Sequence, residues 1–193
     1  MVVIALGIKL VSPGPVFFKQ ERIGRRRKRF ACLKFRTMKV GTNTLPHQQH
    51  LKELLKSDAP MTKMDAAGDS RLIPFGTLLR ATGLDELPQL INILRGEMSL
   101  VGPRPCTAYE LASYQPWHYA RFDALPGLTG LWQVSGKNRT TFTEMINLDI
   151  GYVTNRSLWM DLKIMAATFS TLVSQVREVR FRRGQATRHP QVS

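Results

Sequence analysis

Hydrophobic and polar positions fall with a helical period along much of the chain, interrupted by a few short extended runs. Residues 1–11 (MVVIALGIKLV) are apolar except for Lys9 and predict a short helix, about half the ~20 residues that a membrane-spanning helix requires. Ser12-Pro13-Gly14-Pro15 ends it, and Val16-Phe17-Phe18 reads as a short strand. Residues 30–38 (FACLKFRTM) alternate imperfectly and supply its hairpin partner. Residues 41–71 are polar and mixed, with a modest helix at 48–56 and a loop that is the candidate for a mobile lid. Residues 73–82 (IPFGTLLRAT) predict a helix closed by Gly83.

Leu87, Leu90, Ile91 and Leu94 then fall at i, i+3, i+4 and i+7, so a helix that buries this face is expected, with Pro88 in its first turn. Asp85 and Glu86 come at its N-terminus, where unpaired N–H groups and the dipole favour an ionised carboxylate. Residues 109–122 predict an amphipathic helix anchored by Tyr114, Trp117 and Tyr119, and residues 144–152 set Asp149 among apolar neighbours. Residues 158–173 (LWMDLKIMAATFSTLV) form an apolar helix with two open readings: core packing, or lying in a membrane interface with Trp159 at headgroup level. No internal repeat is visible. The pattern predicts an α+β chain, predominantly helical with a small β-hairpin.

Charge changes this picture. The 193 residues carry 28 Lys and Arg against 14 Asp and Glu, a net +14, while 43% are hydrophobic. Wholesale disorder is excluded, and an anionic partner is implied: nucleic acid, phospholipid or a phosphorylated substrate. Ten basic residues between 19 and 39 face one acid, Glu21, with Arg25-Arg26-Arg27-Lys28-Arg29 as a block. Such a block is ordinarily a solvated turn, but beside an apolar N-terminus it also suits an anionic membrane surface. Cys32 and Cys106 have no paired spacing, so neither a disulfide framework nor a zinc ribbon is indicated. His47 and His50 stand at i, i+3 in polar surroundings and read as a solvated face.

The acid pair is the candidate centre of chemistry. Adjacent helical residues point about 100° apart, so Asp85 and Glu86 suit two separate tasks, a nucleophile and a ligand for a divalent cation. The plainer reading makes them a helix cap and a dipole complement. Pro103-Arg104-Pro105 presents an arginine fork able to grip phosphate. The Gly-rich run 126–139 ends in Lys137 and Arg139 but lacks the P-loop spacing. Asp149, partly buried, needs a partner or a metal.

The sequence resembles the bacterial sugar transferase family, the monotopic phosphoglycosyl transferases. The stretches that carry the likeness are SPGPVFFKQERIG (12–24), KFRTM (34–38), LLRATGLDELPQLINILRGEMSLVGPRP (78–105), PGLTGLWQVSGKNR (126–139), LDIGYV (148–153) and DLKIM (161–165), in family order. The resemblance implies transfer of a hexose 1-phosphate from a UDP-sugar to polyprenyl (undecaprenyl) phosphate through a covalent phosphosugar on Asp85. This is the first membrane step of exopolysaccharide assembly. It implies Mg²⁺ bound by Glu86, and substrate or phosphate contacts from Lys34, Arg104, Lys137, Arg139 and Asp149. It also implies a monotopic, membrane-associated protein on the cytoplasmic face of the bacterial inner membrane. Residues 1–15 would then be the remnant of an incomplete re-entrant helix with the SPGP turn, 16–176 one catalytic domain, and 177–193 a basic, frayed tail.

Two other classes stand beside the transferase. A catalytically silent homologue would bind anionic membrane or a partner protein through the same basic surface. A nucleic-acid module would use the charge, but no nucleic-acid motif appears and the aromatics do not interleave with the basic block. No nucleic acid is therefore expected as a partner.

Overall fold

A two-stranded antiparallel hairpin organises the chain. In a computed structural model, which describes residues 1–42, 49–50, 53–54, 57, 59–61, 71–136 and 139–188, β1 (Phe17–Ile23) pairs with β2 (Arg29–Phe35) from Phe17↔Phe35 to Ile23↔Arg29. The hairpin was expected, but β1 runs on through the basic segment to Ile23, well past Phe18. Of the expected helix at 48–56, residues 49–50 and 53–54 are helical, while 48, 51–52 and 55–56, most of the expected lid, His47 and Lys137 lie outside the described residues.

Helix α1 (Val2–Val11) precedes the hairpin and lays Ile4, Ala5 and Ile8 on Phe35, Ile73, Phe75 and Leu79. Its other face leaves Val3 and Leu10 more than 80% exposed. The SPGP turn is tied down by Arg36, whose buried guanidinium donates to Ser12 Oγ (2.7 Å), Ser12 O (2.8 Å) and Pro15 O (2.6 Å). Helix α2 (Gly76–Thr82) follows, and Gly83 closes it in the left-handed region (φ 69°), as a C-terminal glycine should. A 3₁₀ turn, Leu84–Glu86, then carries both acids into α3 (Gln89–Leu94), with Pro88 as N-cap.

Helix α3 buries only part of the expected face: Leu87, just before it, packs on the α1 core and Ile91 is half-buried, but the helix itself is turned toward its polar side. Gln89 and Asn92 are buried, whereas Leu90 is 37% and Leu94 88% exposed. The reason is Asn92, which is fully buried against β2. Its Nδ2 donates to Ala31 O (2.8 Å) and to Glu97 Oε2 (2.6 Å), and its Oδ1 accepts from Leu33 N–H (3.0 Å). Satisfying two backbone groups of a hairpin edge outweighs burying a leucine stripe whose alternative is an apolar outer surface.

The second sheet was not foreseen. Strands β3 (Ser99–Val101) and β4 (Gly127–Thr129) pair in parallel, and they approach so closely that a Cβ on Gly127 would lie 2.1 Å from Gly102 N. The expected helix at 109–122 is broken in two. Helix α4 (Ala108–Leu111) ends early, and Pro116 starts a 3₁₀ segment, Pro116–Asp123, because proline supplies no N–H to continue an α-helix. After α5 (Leu131–Val134) comes α6 (Phe142–Asn155), opened by a Thr141/Glu144 capping box. Helix α7 (Leu158–Arg188) continues past Val173 into the segment expected to fray, whose residues 189–193 lie outside the described residues. The largest core joins Ile23, Cys106, Tyr114, Phe122, Trp132 and Met145. The molecule thus mixes helices with two small sheets, and among the described residues no helix is long and apolar enough to cross a membrane.

Candidate active site

The acid turn sits beneath β2, where the hairpin delivers a cation to it. Lys34 pairs across the sheet with Phe18 and extends Nζ to Glu86 Oε1 at 2.5 Å. Both side chains keep about a quarter to a third of their surface in solvent, 26% and 31%. Asp85, next to Glu86, is 8% exposed. Burial pushes its carboxyl above the usual carboxylate range, opposed first by Lys34 and less by Arg80, and reinforced by Glu86. The largest influence on this acid is therefore burial, not the helix end. The α-helix proper starts at Gln89, and at the preceding 3₁₀ turn desolvation outweighs the backbone contribution. Arg80, on α2, donates to Thr37 Oγ1 (3.1 Å) on its way to the acid turn.

A second cluster lies deeper along the same hairpin face. Glu110, the N3 residue of the α4 capping box, is 1% exposed and accepts from Arg104 Nη1 at 2.8 Å. Arg22 approaches the same carboxylate at 3.8 Å, and its Nη1 donates to Pro105 O (2.9 Å). Although burial alone would raise it, the guanidiniums of Arg104 and Arg22 hold Glu110 down at about 2. Arg121 donates to Arg104 O (2.7 Å), Tyr114 Oη and Asp149 Oδ2. Both Arg121 and Asp149 are 1% exposed. Burial pushes the Asp149 carboxyl upward against the opposing Arg121 charge. Cys32 connects the two clusters, because its buried thiol feels Lys34, Arg22, Glu86 and Arg104 together.

The structure therefore brings Lys34, Asp85 and Glu86 into one group and Arg104 and Asp149 into another. Asp149 has a protein partner, Arg121. Arg139 is exposed on the turn after α5, its N–H donating to Gly136 O (2.6 Å), in neither group. Lys137 lies outside the described residues. Sequence reasoning passed over Arg22, Arg80, Glu110 and Arg121. Glu110 had a legible signal, since Thr107 three residues before it completes a capping box. Arg121 had none, because nothing local marks an arginine whose partners lie 7, 17 and 28 residues away.

Comparison with known proteins adds an independent line. The bacterial sugar transferase family model matches residues 1–175. The UDP-glucose:undecaprenyl-phosphate glucose-1-phosphate transferase of Caulobacter vibrioides is 44% identical over 88% of this chain and 61% of its own length. An uncharacterized sugar transferase of Haemophilus influenzae is 42% identical, covering 84% of this chain and 34% of that protein. The undecaprenyl-phosphate galactose phosphotransferase of Salmonella typhimurium is 42% identical over 80% of this chain and 33% of its own length. The chain thus spans about a third of two of these relatives.

Proposed function

The chain belongs to the bacterial sugar transferase family, and from that premise we propose that it moves a hexose 1-phosphate from a UDP-sugar to undecaprenyl phosphate, with Asp85 as nucleophile. The observation that carries this reading is the 2.5 Å contact of Lys34 with Glu86, which sets a cation from the hairpin beside the buried Asp85 carboxyl. Phosphoryl transfer asks the protein chiefly for positioning and charge neutralisation.

In the first step an Asp85 carboxylate oxygen attacks the sugar-bearing phosphorus. The new bond is Oδ–P, the bond to the bridging diphosphate oxygen breaks, and UMP leaves with that oxygen. In the second step an oxygen of undecaprenyl phosphate attacks the same phosphorus, the Oδ–P bond breaks, and the carboxylate is restored. Dividing the transfer lets a soluble donor and a lipid acceptor use one nucleophile in turn. Partial burial raises the proton affinity of Asp85, and Lys34 opposes that rise, as a cation beside a nucleophilic carboxylate should.

Magnesium binds oxygen donors and commonly takes only one or two protein carboxylates beside substrate phosphates. Glu86, a partly exposed carboxylate adjacent to the nucleophile, fits that requirement. It would hold the ion, whose chemistry is to neutralise the diphosphate.

Membrane association is part of the same proposal. The outward apolar face of α1 (Val2, Val3, Leu6, Leu10) and the exposed Trp159, Leu162 and Phe169 of α7 support a monotopic seat on lipid. The cytoplasmic face of the inner membrane is where a UDP-sugar meets undecaprenyl phosphate. The deciding experiment incubates the lipid-reconstituted chain with UDP-glucose or UDP-galactose and Mg²⁺. The expected result is UMP release and a mass increment of one hexose phosphate on Asp85, both lost in Asp85→Asn. UMP release that survives Asp85→Asn would overturn the assignment.

A further inference from the structure

The tip of the hairpin carries a feature the proposed reaction does not use. Between β1 and β2 the chain turns through Arg25–Arg27, and both Arg26 (φ 54°, ψ 28°) and Arg27 (φ 60°) adopt the left-handed conformation. Two consecutive non-glycine residues in that region are unusual, and glycine or asparagine would sit there with less strain. Strain of this kind persists where the side chains serve a purpose.

The turn borders a cleft of about 440 Å³ lined by Arg25, Arg26, Lys28, Arg29, Phe30 and Glu97, among others. That volume lies within the range of small-molecule sites and is far too small for a nucleic-acid duplex. Arg29 is paired with Glu21 at 3.0 Å. The side chains of Arg25, Arg26 and Lys28 have no ion-pair or hydrogen-bond partner among the described residues, whereas Glu97, the acid in the wall, accepts from Asn92. Phe30 gives one wall an aromatic face, its ring lying 3.3 Å from where a Gly24 Cβ would be.

We propose that this cleft is a second anion site, for a small water-soluble molecule bearing a di- or triphosphate group, of nucleotide size. Several cations converging on one concavity call for a ligand with several charges, and arginine forks match phosphate oxygens. The site is separate from the acid turn, since Arg29 and Lys34 are five residues apart on one strand, or ~17 Å. It also lies ~20 Å along β1 from Phe17, whose partner Phe35 packs on α1. That distance from the apolar face of α1 favours a ligand arriving from water over a lipid headgroup.

The test is calorimetric titration of inorganic pyrophosphate into the intact chain, with melting temperatures measured alongside. Arg26→Gly removes one charge and relieves the left-handed strain, so it should weaken pyrophosphate binding about tenfold while raising the melting temperature. Lys34→Met, at the acid turn, should leave this binding within about twofold. Equal affinity in Arg26→Gly, or a melting temperature that falls, overturns the proposal. So does loss of all binding in Lys34→Met, which would assign the signal to the reaction centre. If Arg26→Gly instead loses binding only to phosphatidylglycerol vesicles, the block is a lipid contact and the proposal fails.

Discussion

The acid turn and the buried arginine network use the same residue types for opposite ends. At the acid turn, Lys34 and Glu86 pair while partly solvated, and Asp85 beside them is pushed toward its neutral form by burial. In the network, Arg121 and Asp149 are sealed from solvent, and Glu110, gripped by two guanidiniums, is held at about 2. The first arrangement has charges that solvent, or a ligand, can still reach. The second has spent its charges on one another and holds the Pro103-Arg104-Pro105 loop, the 3₁₀ segment and α6 in one geometry. An ion pair is therefore informative about chemistry only together with its burial.

The sharpest way to break the contrast is to remove Asp149. Asp149→Ala leaves the Arg121 guanidinium buried without its carboxylate, and such uncompensated charges cost about 3–5 kcal/mol. A urea unfolding midpoint should fall accordingly. A loss of turnover with unchanged stability would mean instead that Asp149 belongs with the reacting groups.

The converse holds at Lys34. Lys34→Met should reduce transfer by about 10²–10³-fold, as removal of one positioned charge does, while stability changes by less than about 1 kcal/mol because the pair is partly exposed. Single-turnover UMP release and the unfolding midpoint, measured on the same sample, separate the two effects. An intact rate would remove Lys34 from the mechanism.

How much of this was visible in the sequence depends on how locally each feature is determined. The hairpin, the Gly83 stop and the α6 region were legible, because strand alternation and a C-terminal glycine act over a few residues. The acids and Lys34 were legible as candidates, though only the fold places them side by side across 52 positions. The orientation of α3 was not. Its periodicity marks a leucine face correctly, but periodicity cannot say whether that face meets the core or the outside. The decision falls to Asn92, whose partners Ala31 and Leu33 lie about sixty residues earlier. Pro116 is a local signal of the break, and the expected helix ran through it on the strength of the aromatic spacing alone. Parallel pairing of three-residue strands leaves almost no local pattern to read.

Glu110 offers a pH-dependent version of the comparison. Its carboxyl ordinarily titrates near 4.5 and is lowered to about 2 in the fold. A depressed acid contributes stability that is complete above its unfolded value and is lost as pH falls through the folded one. Between pH 4.5 and about 2 the chain should therefore lose roughly 3 kcal/mol from this group alone. Glu110→Gln should lower the melting temperature at pH 7 and flatten its decline across that window. An unchanged slope would mean that the arginines do not hold this acid.

The smallest expected effect tests the orientation of α3. Leu94 is 88% exposed, so Leu94→Gln should move the unfolding free energy by less than about 0.5 kcal/mol. A buried leucine at the end of an apolar stripe would instead cost about 2–5 kcal/mol when truncated. The two orientations of α3 are thus separated by a factor of at least four in one measurement.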